Sequence, residues 1–417
     1  MSARVTSRGT AAGLLALALV TSLSACSNGS SDDSASGGEG SSSLTLWDPY
    51  PQFDESDAWP QLVQKCGEEN GVTIERTGYD TTDLTNQVLR AAQQGNAPSV
   101  LVVDNPVVST LADGGVLADN DTTGLDASGV EDNILAAGEV DGQTYGVPIG
   151  ANTLALYYNK TVLSAAGVDP STITDWDSLT DALQKVEDSG KNGITFSAIG
   201  TEEGSFQFLP WFWGSGAELT DLASSDAQSA LSLWSGWVQQ GLAPQTVISN
   251  NQQSAWEEFL TGDYGFVENG TWQLGPVKES GLDWGVIPIP GRDGGTAPAP
   301  TGGEFVTIPT QADTASYDKS AAVVQCLTSA DNALETDTTL SYVSALADVQ
   351  EQQVSADADL QPWVEAVSAA RGRTSDGLGT DYPGISEQLW NAVQAALSGS
   401  QSPQAALEAA QQAAGSN

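Results

Sequence analysis

The sequence predicts an α/β protein of two domains, and three observations carry that expectation. Short apolar stretches of strand character alternate with amphipathic helical stretches, the pattern of open sheets flanked by helices. A chain of 417 residues exceeds what one hydrophobic core commonly organises. With its 44 glycines added to the apolar residues, the composition is that of an ordinary folded soluble protein. No self-similarity at solenoid periods competes with this reading.

The first element is a leader. Arg4 and Arg8 precede the apolar run Ala11 to Val20, which is shorter than the roughly 20 residues of a permanent span but suits a signal-peptide core. Leu23-Ser24-Ala25-Cys26 follows and resembles a bacterial lipobox, in which the cysteine is lipidated and becomes the new N-terminus. Residues 1–25 are then a signal peptide; an ordinary secretory signal with an incidental cysteine is the alternative. From Cys26 to Ser43 no apolar side chain larger than alanine follows the cysteine. That composition cannot build a core and reads as a flexible tether reaching roughly 20 to 25 Å. No further run of spanning length occurs, so the expected location is extracytoplasmic, anchored to the outer face of the membrane through lipid only.

The body begins at Leu44. Leu44 to Trp47 alternates as a strand, Ala58 to Glu69 suits a helix, Val72 to Glu75 is the next short strand, and Leu84 to Gln94 is amphipathic. Ser99 to Val103 is apolar enough to be buried on both faces. In open α/β sheets ligands sit at the carboxyl ends of strands. Trp47 and Asp48 end the first strand and Asp104 and Asn105 the third, which makes them site candidates.

Charge and missing residue types exclude much. Fifty-four acidic residues against 13 basic give a formal charge of -41, which would repel a phosphate backbone, so no nucleic-acid partner is expected. With no histidine, Ser-His-Asp and Cys-His catalysis fall away, as does nearly every zinc site, and three cysteines cannot make an all-cysteine tetrahedral site. No metal and no cofactor is expected. Twelve tryptophans among many Asp, Asn and Glu suit a sugar instead. A pyranose has flat C–H faces and a rim of hydroxyls, so it needs rigid aromatic walls and charged or amide hydrogen-bonding groups.

Several motifs then occur in a fixed order. Gly142-Gln143-Thr144-Tyr145-Gly146-Val147-Pro148-Ile149 precedes Leu156-Tyr157-Tyr158-Asn159-Lys160, Ala166-Gly167-Val168 and Asp175-Trp176-Asp177-Ser178-Leu179. Phe259 to Phe266 with Gly270-Thr271-Trp272, then Ile287 to Gly291 with Gly302-Gly303-Glu304, and the tail from Ala396 to Leu407 complete the series. Together they resemble the extracellular solute-binding lipoproteins of bacterial ABC importers, in the carbohydrate-binding group similar to maltose-binding protein. The resemblance implies a two-lobed periplasmic-binding-protein-like fold, each lobe an open sheet flanked by helices, with three hinge crossings and the ligand gripped between the lobes. It places the crossings near Gly150 to Thr153, Gly302 to Phe305 and Leu346 to Val354. The first lobe would comprise residues 44–151 and 303–350, the second 152–302 and 351–417. The implied activity is no catalysis but the binding of a neutral di- or oligosaccharide, by a monomer, for delivery to permease subunits.

Site residues follow by position. Trp47, Trp272 and the pair Trp211 and Trp213 are the candidate aromatic walls, whereas at least one of Trp234 and Trp237 belongs to a helix core and Trp176 is structural in the family. The polar candidates are Asp48, Tyr50, Asp104, Asn105, Asn152, Gly303 and Glu304, with Glu203 and Ser205 from the run Glu202 to Phe206. Arg373 and Tyr382 match a family segment less well, because Thr374 to Thr380 is longer and richer in glycine. After lipidation of Cys26, Cys66 and Cys326 remain, both in first-lobe segments. In an oxidising compartment a disulfide between them is the expected state, with two free thiols as the other reading. An extracellular glycoside hydrolase using paired carboxylates needs no histidine and is the competing function, although no acid pair stands out. A surface adhesin would need a large exposed apolar face, which the sequence does not show.

Overall fold

The computed structural model describes residues 42–374 and 377–415. The leader, Cys26 and the tether up to residue 41 lie outside the described residues. The expected tether is shortened at its end: Ser42 and Ser43 pair with Val72 and Thr73, because ladder hydrogen bonds need backbone and not apolar side chains.

Strand β1 (Ser42–Asp48) lies parallel to both β2 (Val72–Gly78) and β3 (Val100–Asp104). The alternation in β2 leaves Val72 and Ile74 buried and Thr73 and Glu75 exposed, as one-faced burial requires. The apolar run of β3 is buried throughout up to Asp104. Helices Ala58–Glu69 and Thr81–Gln93 connect these strands. A short hairpin, β4 (Glu139–Val140) with β5 (Gln143–Thr144), turns at Asp141-Gly142, where both residues take positive φ. Then β6 (Val147–Pro148) joins the far edge of the first sheet.

A second sheet follows from β7 (Leu154–Asn159), β8 (Asn192–Thr195), β9 (Tyr264–Gly270) and β10 (Trp284–Ile287). Its order is β10-β7-β9-β8, with only β8 and β9 parallel. The chain returns with β11 (Glu304–Thr307), which enters the first sheet antiparallel between β3 and β6 and completes the order β2-β1-β3-β11-β6.

Each sheet has its own core. Leu44, Leu46, Trp59, Val63, Val100, Val102, Val306 and Val324 pack around the first. The second is aromatic: Trp176, Phe196, Phe208, Trp211, Phe212, Trp213, Trp234 and Trp237 share one cluster, closed by the C-terminal helices Tyr382–Leu397 and Pro403–Ala414.

The chain moves between the sheets after Pro148 and again after Ile287. After helix Ala330–Leu340, Tyr342 still packs in the first core, whereas Val343 packs with Tyr157 and Val267 on the second sheet. The side chains therefore change core ahead of residues 346–354, where the third crossing was expected. Those residues are mostly helix Ala347–Ala356, a stretch of Ala, Asp, Gln, Glu, Val and Ser with no Gly or Pro in it. The passages are tied to one another by backbone pairs: Ala151 and Val343 exchange hydrogen bonds of 2.8 Å, and the amide N–H of Gly302 donates to Asn152 O at 2.8 Å. Cys66 and Cys326 are disulfide-bonded with Cα atoms 5.6 Å apart. The bridge joins helices Ala58–Glu69 and Tyr317–Leu327 on the first core and touches no passage between the sheets.

Candidate ligand-binding cleft

Strand ends, helix starts and the passages converge on a cleft of about 510 Å³ between the two sheets. Asp104 comes from the end of β3, and Gly303 and Glu304 from the start of β11. Asn152 precedes β7, Trp272 follows β9, and Glu202, Glu203 and Phe206 open helix Glu202–Gly214. Two acids in the first turn of that helix are favoured by its unpaired N–H groups. Glycine is required at 303: its φ is +105°, and a Cβ there would lie 2.6 Å from Gly150 O. At 302 a Cβ would meet the Asn152 side-chain oxygen at 2.0 Å.

Arg373 is the electrostatic centre. It is 4% exposed; its Nη2 donates to Asp104 Oδ1 and its Nη1 to Glu202 Oε1, each at 2.9 Å. Burial alone would lower its pKa, but Asp104 and Glu202 outweigh burial and hold it above the ordinary arginine value. The guanidinium also lies 4.9 Å from the centroid of the Phe206 ring. Phe206 and Trp272 stand 6.5 Å apart, centroid to centroid, and form the aromatic wall. Glu202 is held from behind by Tyr382, whose hydroxyl donates at 2.6 Å, and by Ser386.

Burial pushes three of the carboxylates upward, Asp104, Glu203 and Glu304. Burial raises Asp104, and Glu202 adds to this, against the pull of Arg373. Burial raises Glu203, while the Gln252 amide N–H that it accepts acts the other way. Glu304 is pushed up to about 7 by burial and then by Asp104, although it accepts a hydrogen bond from Tyr342. Tyr50 lies behind this pair with its hydroxyl 3.2 Å from that of Tyr342.

Of the residues expected at the site, Asp104, Asn152, Glu203, Trp272, Gly303, Glu304 and Arg373 line the cleft together. The others are placed elsewhere. Asp48 is fully buried: Arg76 Nε donates to its Oδ2 at 2.6 Å, Arg76 Nη2 to its Oδ1 at 2.9 Å, and Trp59 Nε1 to its Oδ2 at 2.9 Å. No face of that carboxylate is left for a ligand. Trp47 packs edge-on against Tyr79 at 5.2 Å and does not line the cleft. Tyr50 and Asn105 are buried supports. In the orientation that satisfies its neighbours, the Asn105 amide donates to Asp104 Oδ1 and Gly303 O. Ser205 is fully buried and donates to Ser386 O at 3.0 Å.

Trp211 and Trp213, expected as aromatic walls, lie buried in the second core. Every residue from Gly204 to Trp213 is buried, because a helix apolar on all sides has no wet face. Trp211 packs edge-on against Trp237 at 5.1 Å and donates Nε1 to Glu268 Oε2 at 2.8 Å. Burial pushes that glutamate well above its usual pKa. Trp213 lies under the guanidinium of Arg371, 5.2 Å from its ring centroid. Tyr382 acts at second hand through Glu202, and with Asp104, Glu202 and Trp390 it lines an adjoining cavity of about 440 Å³.

Glu202, Phe206, Gln252 and Tyr342 were not singled out from the sequence. Helical spacing could have found two of them, since Glu202 and Phe206 are four apart and share a face. Gln252 and Tyr342 carry no such signal, because tertiary structure alone brings Gln252 to the cleft and Tyr342 behind Glu304.

The description of bacterial extracellular solute-binding proteins as a family matches residues 61–362. The chain is 27% identical to the maltodextrin-binding protein of Bacillus subtilis (strain 168), over 70% of this chain and 69% of that one. It is 23% identical to a maltooligosaccharide ABC transporter solute-binding lipoprotein of Streptococcus pneumoniae serotype 4, over 60% of this chain and 57% of the other. Among solved structures, the cyclic α-maltosyl-1,6-maltose binding protein of Arthrobacter globiformis superposes with a TM-score of 0.76 at 25% identity, covering 90% of this chain and 99% of the other. The family model spans well over half of the sequence, and the chain belongs to the bacterial extracellular solute-binding proteins.

Proposed function

We propose that the protein is the lipid-anchored receptor of an ABC importer, binding a di- or oligosaccharide in the cleft and delivering it to the permease without chemical change. The observation that carries this is the pairing of an aromatic wall, Trp272 and Phe206, with Asn152, Gln252 and the carboxylates of Asp104, Glu203 and Glu304. Rings match the apolar faces of a sugar, and the polar groups match its hydroxyl rim. The names of the relatives, maltodextrin- and maltooligosaccharide-binding proteins, support an oligosaccharide as the ligand.

In this reading the lobes built on the two sheets hinge about residues 149–153, 288–303 and 341–346. A ligand that touches both lobes only when they are closed shifts the population toward closure by the difference in affinity. Among the described residues no helix is long and apolar enough to cross a membrane. Attachment would therefore fall to a lipid on Cys26, leaving the monomeric body beside the permease. A thermal-shift screen over short oligosaccharides tests the reading, since a ligand at about 100 times its Kd stabilises by about 2.7 kcal/mol. Stabilisation with the sugar recovered intact is the expected result; cleavage of the sugar by the purified protein would overturn it.

A further inference from the structure

The charge of the cleft is unbalanced. Four carboxylates line it, Asp104, Glu202, Glu203 and Glu304, against one guanidinium, and no lysine or second arginine is among the lining residues. That guanidinium is already committed: Arg373 holds Asp104 with one terminal nitrogen and Glu202 with the other, and its buried Nε has no acceptor. Among the described residues neither Glu203 nor Glu304 is in an ion pair, and only Arg373, already held by two other acids, acts on Glu304 from a distance. Glu203 accepts from the Gln252 amide and Glu304 from the Tyr342 hydroxyl. Glu203 also lies within reach of the Ser197 hydroxyl and Glu304 of the Tyr50 hydroxyl, neutral partners that leave the charge of each carboxylate standing.

Closing such a cleft on a wholly neutral sugar strips water from these carboxylates with no countercharge in return, which is costly in a low-dielectric site. Hydroxyl groups would satisfy the lone pairs but leave the charge. A protonated amine does both, and the face of Trp272 beside Phe206 adds attraction for a cation. We propose that the cleft is selective for a cationic sugar, an oligosaccharide bearing one or more protonated amino groups, with Glu203 and Glu304 as the groups that read the charge. This rests on the reading of the cleft as a sugar site and names the class of sugar. The position of Glu304, with a pKa raised to about 7 by burial and by Asp104, agrees with it: a cation beside Glu304 would draw the proton off. Tyr50, Tyr342, Asp104 and Arg373 are the other titratable groups that act on it.

The test is calorimetric titration of the protein at neutral pH and low salt with three matched probes: short glucosamine oligomers, the same oligomers N-acetylated, and maltodextrins of equal length. The amine-bearing oligomers should bind at least about tenfold more tightly than either neutral set, with an advantage that shrinks as salt rises. Glu203→Gln and Glu304→Gln, checked for folding by circular dichroism, should each narrow the ratio between amine and acetyl forms. Neutral sugars that bind as tightly as the amines overturn this inference and leave the sugar-receptor reading standing. Spermidine binding as tightly as the amino sugars also overturns it, since charge without a sugar would then suffice. No binding by any of the sugars removes both.

Discussion

Asp48 and Asp104 occupy matching places in the fold and do different work. Each ends a parallel strand of the first sheet, each is next to an arginine, and burial raises the pKa of each. The difference lies in where the arginine comes from. Arg76 belongs to β2, the strand beside Asp48, so that pair is internal to one sheet; its side chains are 5% and 0% exposed. Arg373 comes from a segment that follows the third passage, and through it Asp104 is joined to Glu202 on a helix of the other core. Asp104 retains 25% side-chain exposure and lines the cleft. A carboxylate at a strand end thus becomes part of the site when its countercharge comes from across the cleft, and part of the core when it comes from the neighbouring strand.

The largest effect should come from breaking the internal pair. Asp48→Ala leaves Arg76 buried without its anion and should cost about 3 to 5 kcal/mol in urea unfolding, while the folded fraction binds ligand with unchanged affinity. Asp104→Ala should show the reverse pattern. Glu202 still neutralises Arg373, so the stability loss is smaller, but the loss of a charged hydrogen-bond partner worth about 1.5 to 3 kcal/mol weakens ligand binding roughly tenfold or more. If both variants lose stability equally and neither loses affinity, the two aspartates are not distinguished in this way.

The tryptophans sharpen the same contrast. Trp211→Ala should cost about 3 to 5 kcal/mol of stability through the cavity it leaves in the second core. Trp272→Ala should cost little stability, measured by thermal unfolding.

The smallest effect is the pH dependence carried by Glu304. Its folded-state pKa of about 7 lies above the ordinary glutamate value, so over that interval the folded protein holds a proton that the unfolded chain has released. Its contribution is present in full in acid and is lost as pH rises toward about 7. Urea unfolding across this range should show a downward slope that Glu304→Gln flattens. An unchanged slope in the variant would assign the effect to other groups.

Much of the first sheet was legible because its strands and helices are local: the alternation in Val72 to Glu75 and the apolar run at Val100 to Val103 specify burial without knowledge of neighbours. The cleft was legible where a position follows from topology, as at Asp104 after β3, or from the family resemblance, as at Gly303 before β11. It failed where only a distant partner decides. Nothing beside Asp48 in the sequence says that Arg76 and Trp59 will enclose it, and the run Pro210-Trp211-Phe212-Trp213 reads equally as wall or core until the helices around Trp234 and Tyr382 cover it. The third passage is hidden for a related reason, since helix-forming sequence at 347–354 gives no sign that Val343 already packs on the second sheet.

The central claim is that the cleft faced by Trp272 and Asp104 binds the ligand. Calorimetric titration of wild type and Trp272→Ala with the oligosaccharide that most stabilises the wild type tests it most directly. The account predicts saturable binding by the wild type and at least about tenfold weaker binding by the variant, as expected from loss of about 1.5 to 3 kcal/mol of ring burial. Equal affinity in the two proteins would contradict it.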